Sequence, residues 1–358
     1  MPSSLTRVAL LAAVTVSFAA CAPVPGVRPA LGPAVVDSLF APYAAAGAPG
    51  ASVVVVRNGR VVLERTFGLA DLEAGTRATS ATNYRLASIT KQFTATAVML
   101  LAGEGRLSYD DPVARYLPSL PVHARGVTIR HLLNHTSGIW DYEDFVPDSQ
   151  TYQVKDRDAL ALLARADSLY FPSGSAYRYS NTGYALLALV VEEVLGMPFA
   201  RFLDARIFRP LGMRGSVAFE EGVSTVPQRA YGYSRDSTGW RRTDQSNTSA
   251  VLGDGGVYTS VDDIVRWDRA LERHTLVSAA DQQLAWTPAT LANGRPTEYG
   301  IGWFVRREDG RLRVWHTGTT RGFRNAILRY PDERLTVVVR TTRNEGEPIT
   351  IAAAIATI

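Results

Sequence analysis

The chain has 358 residues, 46% hydrophobic and 20% charged, with a formal charge of +4. That length allows one large domain or two smaller ones with ample core, and the scattered basic residues form no run of the kind that binds nucleic acid. A single cysteine, Cys21, excludes an internal disulfide, and five histidines exclude a histidine-rich metal cluster.

The first twenty residues read as an export signal. Arg7 supplies positive charge, and Val8 to Ala20 is apolar but shorter than the ~20 residues that span a bilayer. The ending Phe18-Ala19-Ala20-Cys21 resembles a bacterial lipoprotein processing site, with Phe18 where leucine is usual. Residues 1–20 are thus expected to be a lipoprotein-type signal, with Cys21 lipidated and the protein exported and held at a membrane. Ala22 to Pro33 carries four prolines and two glycines and reads as a tether over 21–33.

A short helix is expected near Ala34 to Ala46. Ser52–Val56 and Arg60–Phe67 flank Asn58-Gly59, a two-residue hairpin signal. Then comes Leu86-Ala-Ser-Ile-Thr-Lys-Gln-Phe93, expected to open a helix that ends at Gly103-Glu-Gly105. Residues three apart share a helix face, so Ser88 and Lys91 point together. Ile89, Phe93, Ala97 and Leu100 form the expected docking stripe on the opposite face. A serine hydroxyl needs a base to become a nucleophile, and lysine serves if its surroundings lower its pKa. S-x-x-K alone is expected by chance about once in such a chain. Only Lys91 and Lys155 among the 38 basic residues are lysine, however, and lysine can give up its proton where arginine cannot.

The middle of the chain reads as mostly helical, including 156–167, 183–195 and 261–273. Ser260 and Asp263 have capping-box spacing. Tyr179-Ser180-Asn181 precedes one of these helices. Asn181 either caps it or holds the lysine or a substrate carbonyl, and Tyr179 is either core or a proton relay. His131 and His135 stand four apart, but Leu-Leu-Asn lies between them and no third ligand is evident, so no metal is expected. His135-Thr-Ser-Gly138 looks like a loop entering a pocket wall.

Strand signals return near the end. The expected strands 299–306 and 311–316 flank Asp309-Gly310, and 324–330 and 335–341 flank Pro331-Asp332. A helix is expected over 348–358. The expected fold is α+β, an antiparallel sheet of about five strands covered by the terminal helices. Its sheet region covers about 34–84 and 297–358. A large helical insertion, about 85–296, lies beside it, and the site is expected in the cleft between the two. His316-Thr317-Gly318 ends a strand; its glycine lets a substrate backbone approach, and a nearby N–H offers an oxyanion donor.

Together, Ser88-x-x-Lys91, Tyr179-x-Asn181 and His316-x-Gly318 resemble the serine β-lactamase and penicillin-binding protein superfamily. Within it they are most similar to the branch of class C β-lactamases, D-amino-acid peptidases and esterases. Leu132-Leu-x-His135-Thr-Ser-Gly138, Pro210-Leu-Gly-Met213 and Gly255-Gly-Val-Tyr-Thr-Ser260 extend the resemblance over residues 34–358. It implies that Ser88 is acylated, that Lys91 and Tyr179 shuttle its proton and that Asn181 positions substrate. It also implies that the N–H groups of Ser88 and Thr319 hold the oxyanion, with no cofactor. His316 stands where β-lactamases of this branch usually have lysine, which points toward an ester, amide or D-peptide and away from penicillins. Trp140, Tyr142 and Arg321 are candidate pocket residues by loop position. The substrate is then a small molecule or short peptide. The alternatives are a β-lactamase or DD-carboxypeptidase, and a non-catalytic peptide-binding lipoprotein.

Overall fold

Asn58 and Gly59 both take positive φ, 54° and 71°. This backbone twist matches that of paired strands, so Ala51–Arg57 and Arg60–Phe67 form a hairpin. Asp309 and Gly310 do the same, at 51° and 79°, between Phe304–Glu308 and Arg311–Thr320. A one-turn 3-10 helix, Pro331–Glu333, joins Phe323–Tyr330 to Leu335–Thr341. The computed structural model describes residues 32–147 and 149–357, so the expected signal and Cys21 lie outside the described residues.

The sheet has six antiparallel strands rather than about five, in the order 304–308, 311–320, 323–330, 335–341, 51–57, 60–67. All four C-terminal segments pair, and the N-terminal hairpin completes the other edge. The central strands are buried on both faces, and each carries an unalternating apolar run at its centre, Val53–Val56 and Val337–Val339. Val53, Val55, Val337 and Val339 pack with Val36 and Ile355 of the terminal helices, which span Pro33–Leu39 and Pro348–Thr357, and with Phe40, which follows the first. Val54, Val56, Ile327 and Val338 face the inserted region. That alternation is the period of two that places successive side chains on opposite faces.

The inserted region is less helical than its periodicity suggests. It contains a small sheet of Tyr84–Arg85, Val257–Thr259 and Val217–Ala218, and a hairpin of Tyr233–Asp236 with Gly239–Arg242. Two helices form its centre, Lys91–Gly103 and Asn181–Leu195. The first is buried nearly all round, so it docks through more than the expected stripe, of which Leu100 is partly exposed. Ser260 caps Val261–Glu272 through the Asp263 N–H. The Asp263 carboxylate bonds Gly215 and Ser216 instead of completing the box.

Candidate active site

Ser88 does not sit in the α-helix itself. It lies in a 3-10 turn, Ala87–Thr90, that feeds the helix starting at Lys91. Ala87 has φ 51°, a left-handed backbone uncommon for a residue with a Cβ. The turn is gripped from both sides. The Leu86 N–H donates to Val257 O at 2.8 Å, and Asn325 Nδ2 donates to Arg85 O at 2.9 Å. Gly318 presses on the same turn: a Cβ there would stand 2.0 Å from Leu86 O. Its glycine therefore serves strand-to-turn packing, and the strand holding His316 runs on to Thr320 rather than ending. Pairing with the neighbouring edge strand stops at Phe304–Trp315.

Lys91 is 0% exposed. Its Nζ donates to Asn181 Oδ1 at 2.8 Å, to Asp254 O at 3.0 Å and to Ser88 Oγ at 3.3 Å. Three acceptors match the three N–H bonds of an ammonium group. Asn181 is the first residue of its helix and holds the lysine; Asp141 bonds the Asn181 N–H at 2.7 Å in the capping role expected of Asn181. The Tyr179 ring lies 4.9 Å from Nζ. Its hydroxyl is buried and has no partner among the described residues, an unmet need that a native site rarely tolerates without a function.

A narrow cavity of about 50 Å³ opens over Ser88, with Asn181, Tyr142, Glu143, Asp254, Arg85 and Thr319 in its wall. Glu143, Asp254 and Arg85 were not expected from the sequence. Asp254 lies within Gly253-Asp254-Gly255-Gly256, and a buried carboxylate in a glycine-rich turn was the available signal. Burial pushes its carboxyl up to about 8, against the pull of the Lys91 charge. It accepts the Tyr142 hydroxyl at 3.0 Å. Arg85 is already bonded to Ser249 O at 2.7 Å.

The structure separates the remaining expected residues. Trp140 stacks on Tyr170 at 4.0 Å and is absent from the cavity wall. Arg321 is exposed, outside the wall and without a hydrogen bond or ion pair among the described residues. His131 closes the cap of its own short helix, and His135 is buried beside Tyr179. Among the described residues no cluster suited to a metal forms.

His316 departs most from expectation. It is 1% exposed. Its Nδ1 lies 2.7 Å from Thr317 O and its Nε2 2.9 Å from the Tyr299 hydroxyl. A carbonyl only accepts, so Nδ1 carries the proton and Nε2 accepts from Tyr299. Burial pushes the ring pKa down to about 3, opposed by the Thr317 bond and aided by the Lys91 charge. The ring is therefore neutral at ordinary pH and offers an anion no titrating charge.

The chain matches the Beta-lactamase family over residues 36–357. The chain belongs to that family. It is 34% identical over 310 residues to penicillin-binding protein 4* of Bacillus subtilis, covering 82% of this chain and 68% of the relative. It is 30% identical over 302 residues to a D-aminopeptidase of Gluconobacter oxydans, covering 81% and 55%. A penicillin binding protein of Bacillus halodurans superposes with TM-score 0.78 at 29% identity, covering 90% of this chain and 98% of that one. The chain thus spans little more than half of the D-aminopeptidase.

Within this family member the buried imidazole gives a stability signature. Below about pH 6.5 the unfolded chain's histidine takes up a proton, which the folded ring refuses until about pH 3. The unfolded state then binds more protons, so stability falls as pH falls through that window. Between pH 7 and 5 this ring removes about 2 kcal/mol. Urea unfolding of wild type and His316→Gln at both pH values reads it. Wild type is expected to lose more by about that amount; equal losses would mean that the folded ring ionises.

Proposed function

We propose that this chain is a serine hydrolase that forms an acyl-enzyme at Ser88, and that its preferred substrates are amides or esters whose acyl part bears a free ammonium group. The observation that carries the chemistry is Lys91 Nζ against Ser88 Oγ with the unpartnered Tyr179 phenol beside it. Between them Lys91 and Tyr179 carry one proton fewer than an ammonium and a phenol together, shared within the pair, and the vacant place takes the Ser88 proton. Ser88 Oγ attacks the carbonyl carbon, and the N–H groups of Ser88 and Thr319 receive the oxyanion. The leaving group departs with the proton, and water then attacks the acyl carbon and frees the serine.

The ammonium preference is supported by the wall, where Glu143 and Asp254 stand. A cation placed against Asp254 lowers its raised pKa and ionises it. A neutral His316 gives a substrate carboxylate a weaker partner than lysine would. The D-aminopeptidase relative, named for attack at an amino terminus, is consistent with this reading.

Intact-mass measurement after treatment with a fluorophosphonate or a nitrophenyl ester is expected to show one adduct, lost in Ser88→Ala. Lys91→Arg keeps charge but not a removable proton, and kcat is expected to fall about 100-fold or more. Full turnover by Ser88→Ala would end the nucleophile assignment.

For substrate choice, kcat/KM is compared for a D-alanine anilide, its N-acetyl form and a chromogenic cephalosporin. The free amine is expected to lead, and Glu143→Gln to lower its kcat/KM about tenfold, as for a charged contact. A cephalosporin turned over faster than both anilides would restore the β-lactamase reading.

Export and a lipid anchor at Cys21 remain part of this proposal. Wild type is expected in the membrane fraction and Cys21→Ala in the soluble one, since stable anchoring takes more than one acyl chain. Soluble behaviour of both forms would exclude the anchor.

A further inference from the structure

Tyr179 lies in an irregular segment just before its helix, with no sheet ladder to fix it. Ser180 is extended there, with φ −142° and ψ 127°. A phenol that must meet a proton within hydrogen-bond distance cannot be left to such a segment, because small misplacements are costly to rate.

His135 meets this need from three directions. Its carbonyl accepts the Arg178 N–H at 3.0 Å. Its Nδ1 accepts the Ser180 N–H at 3.2 Å. Its ring lies against the Tyr179 ring, with centroids 4.2 Å apart. The residues on either side of the tyrosine are thus held by one histidine, in the manner of a ladder partner. His135 has φ 60°, uncommon for a residue with a Cβ. Next to it, Gly174 N–H donates to Thr136 O at 2.8 Å, and Tyr170 N–H to Gly138 O at 2.7 Å. The whole 135–138 loop therefore braces the chain that leads to Tyr179.

We infer that His135 is a positioning residue that sets the Tyr179 phenol over Lys91, through the acceptor at Nδ1. This rests on the reading of Tyr179 as a proton carrier. Because Nδ1 accepts, the proton of the neutral ring is on Nε2. Burial, with the Lys91 charge adding to it, holds the ring well below its ordinary pKa, so the acceptor persists as pH falls.

Three variants test this: His135→Ala, His135→Asn and Tyr179→Phe, with kcat and KM measured separately on a nitrophenyl ester. Asparagine places Oδ1 near the position of Nδ1 and tolerates positive φ better than most residues. His135→Ala is expected to lower kcat about 100-fold with KM within about threefold, and His135→Asn to recover at least tenfold of that loss. In the Tyr179→Phe background, His135→Ala is expected to cost less than about threefold, since residues that act as a unit are not additive. A merely structural role would cost the same in both backgrounds. Undiminished kcat in Tyr179→Phe would instead overturn the reading of Tyr179. If Tyr179→Phe is impaired while His135→Ala is not, or if Asn fails to recover, the positioning role falls. Should His135→Ala not fold, nitrogen-15 shifts of the wild-type ring still decide. A proton on Nδ1 between pH 5.5 and 8.5 would overturn the inference, and an unprotonated Nδ1 with a His135→Asn kcat within about tenfold of wild type sustains it.

Discussion

A buried ammonium group with all three of its N–H bonds spent is the constraint on which this structure turns. Lys91 is held by Ser88 Oγ, Asn181 Oδ1 and the Asp254 carbonyl. These come from a 3-10 turn, a helix start and a glycine-rich turn, which are far apart in sequence. Leaving a buried charge without its partners costs about 3–5 kcal/mol, so the three elements are fixed by the need that also creates the site. The outermost contributor is itself supported. Both oxygens of Asp156 accept N–H bonds from Leu252 and Gly253, at 2.9 and 3.0 Å, and Thr94 donates to Gly253 O at 2.6 Å. Catalytic geometry and core packing are therefore one structure here.

The second constraint is contact without side chains. Gly318 brings its strand onto the Leu86 carbonyl at a distance that no Cβ allows. Ser88 and Thr319 consequently share one cavity wall. The wall's chemistry differs from that of a carboxylate-binding site. It carries two acidic side chains, and its one guanidinium is spent on the Gly255 and Ser249 carbonyls and Gln245 Oε1. The imidazole at position 316 is committed to Thr317 and Tyr299. The space beside the serine is small, about 50 Å³.

Local chemistry was legible in the sequence. Asn58-Gly59 and Asp309-Gly310 announced their hairpins because positive φ at two successive residues is a local demand. Ser88 with Lys91 was legible because three-residue spacing is local too. Long-range facts were not. That strand 51–57 lies between 335–341 and 60–67 follows from registers nearly 300 residues apart, as Ala51 opposite Thr341 shows. The burial of His316 was hidden because its partner, Tyr299, stood in a stretch that read as strand. It forms instead a turn at Gly300 and Trp303 before the strand opens at Phe304. Glu143 and Asp254 reach Ser88 only through the packing of separate loops, so no spacing rule pointed to them.

The scarcity of lysine has a practical side once burial is known. Of the two lysines in the chain, Lys91 is fully enclosed and Lys155 is exposed. Guanidinium groups stay protonated at ordinary pH and are poor targets for acylating reagents. Amine-directed coupling of the folded domain thus meets one side chain, Lys155, which is outside the wall around Ser88. Besides the terminal amine, the chain thus offers one side chain for attachment, and a surface, dye or polymer joined at Lys155 stands outside the wall over the serine.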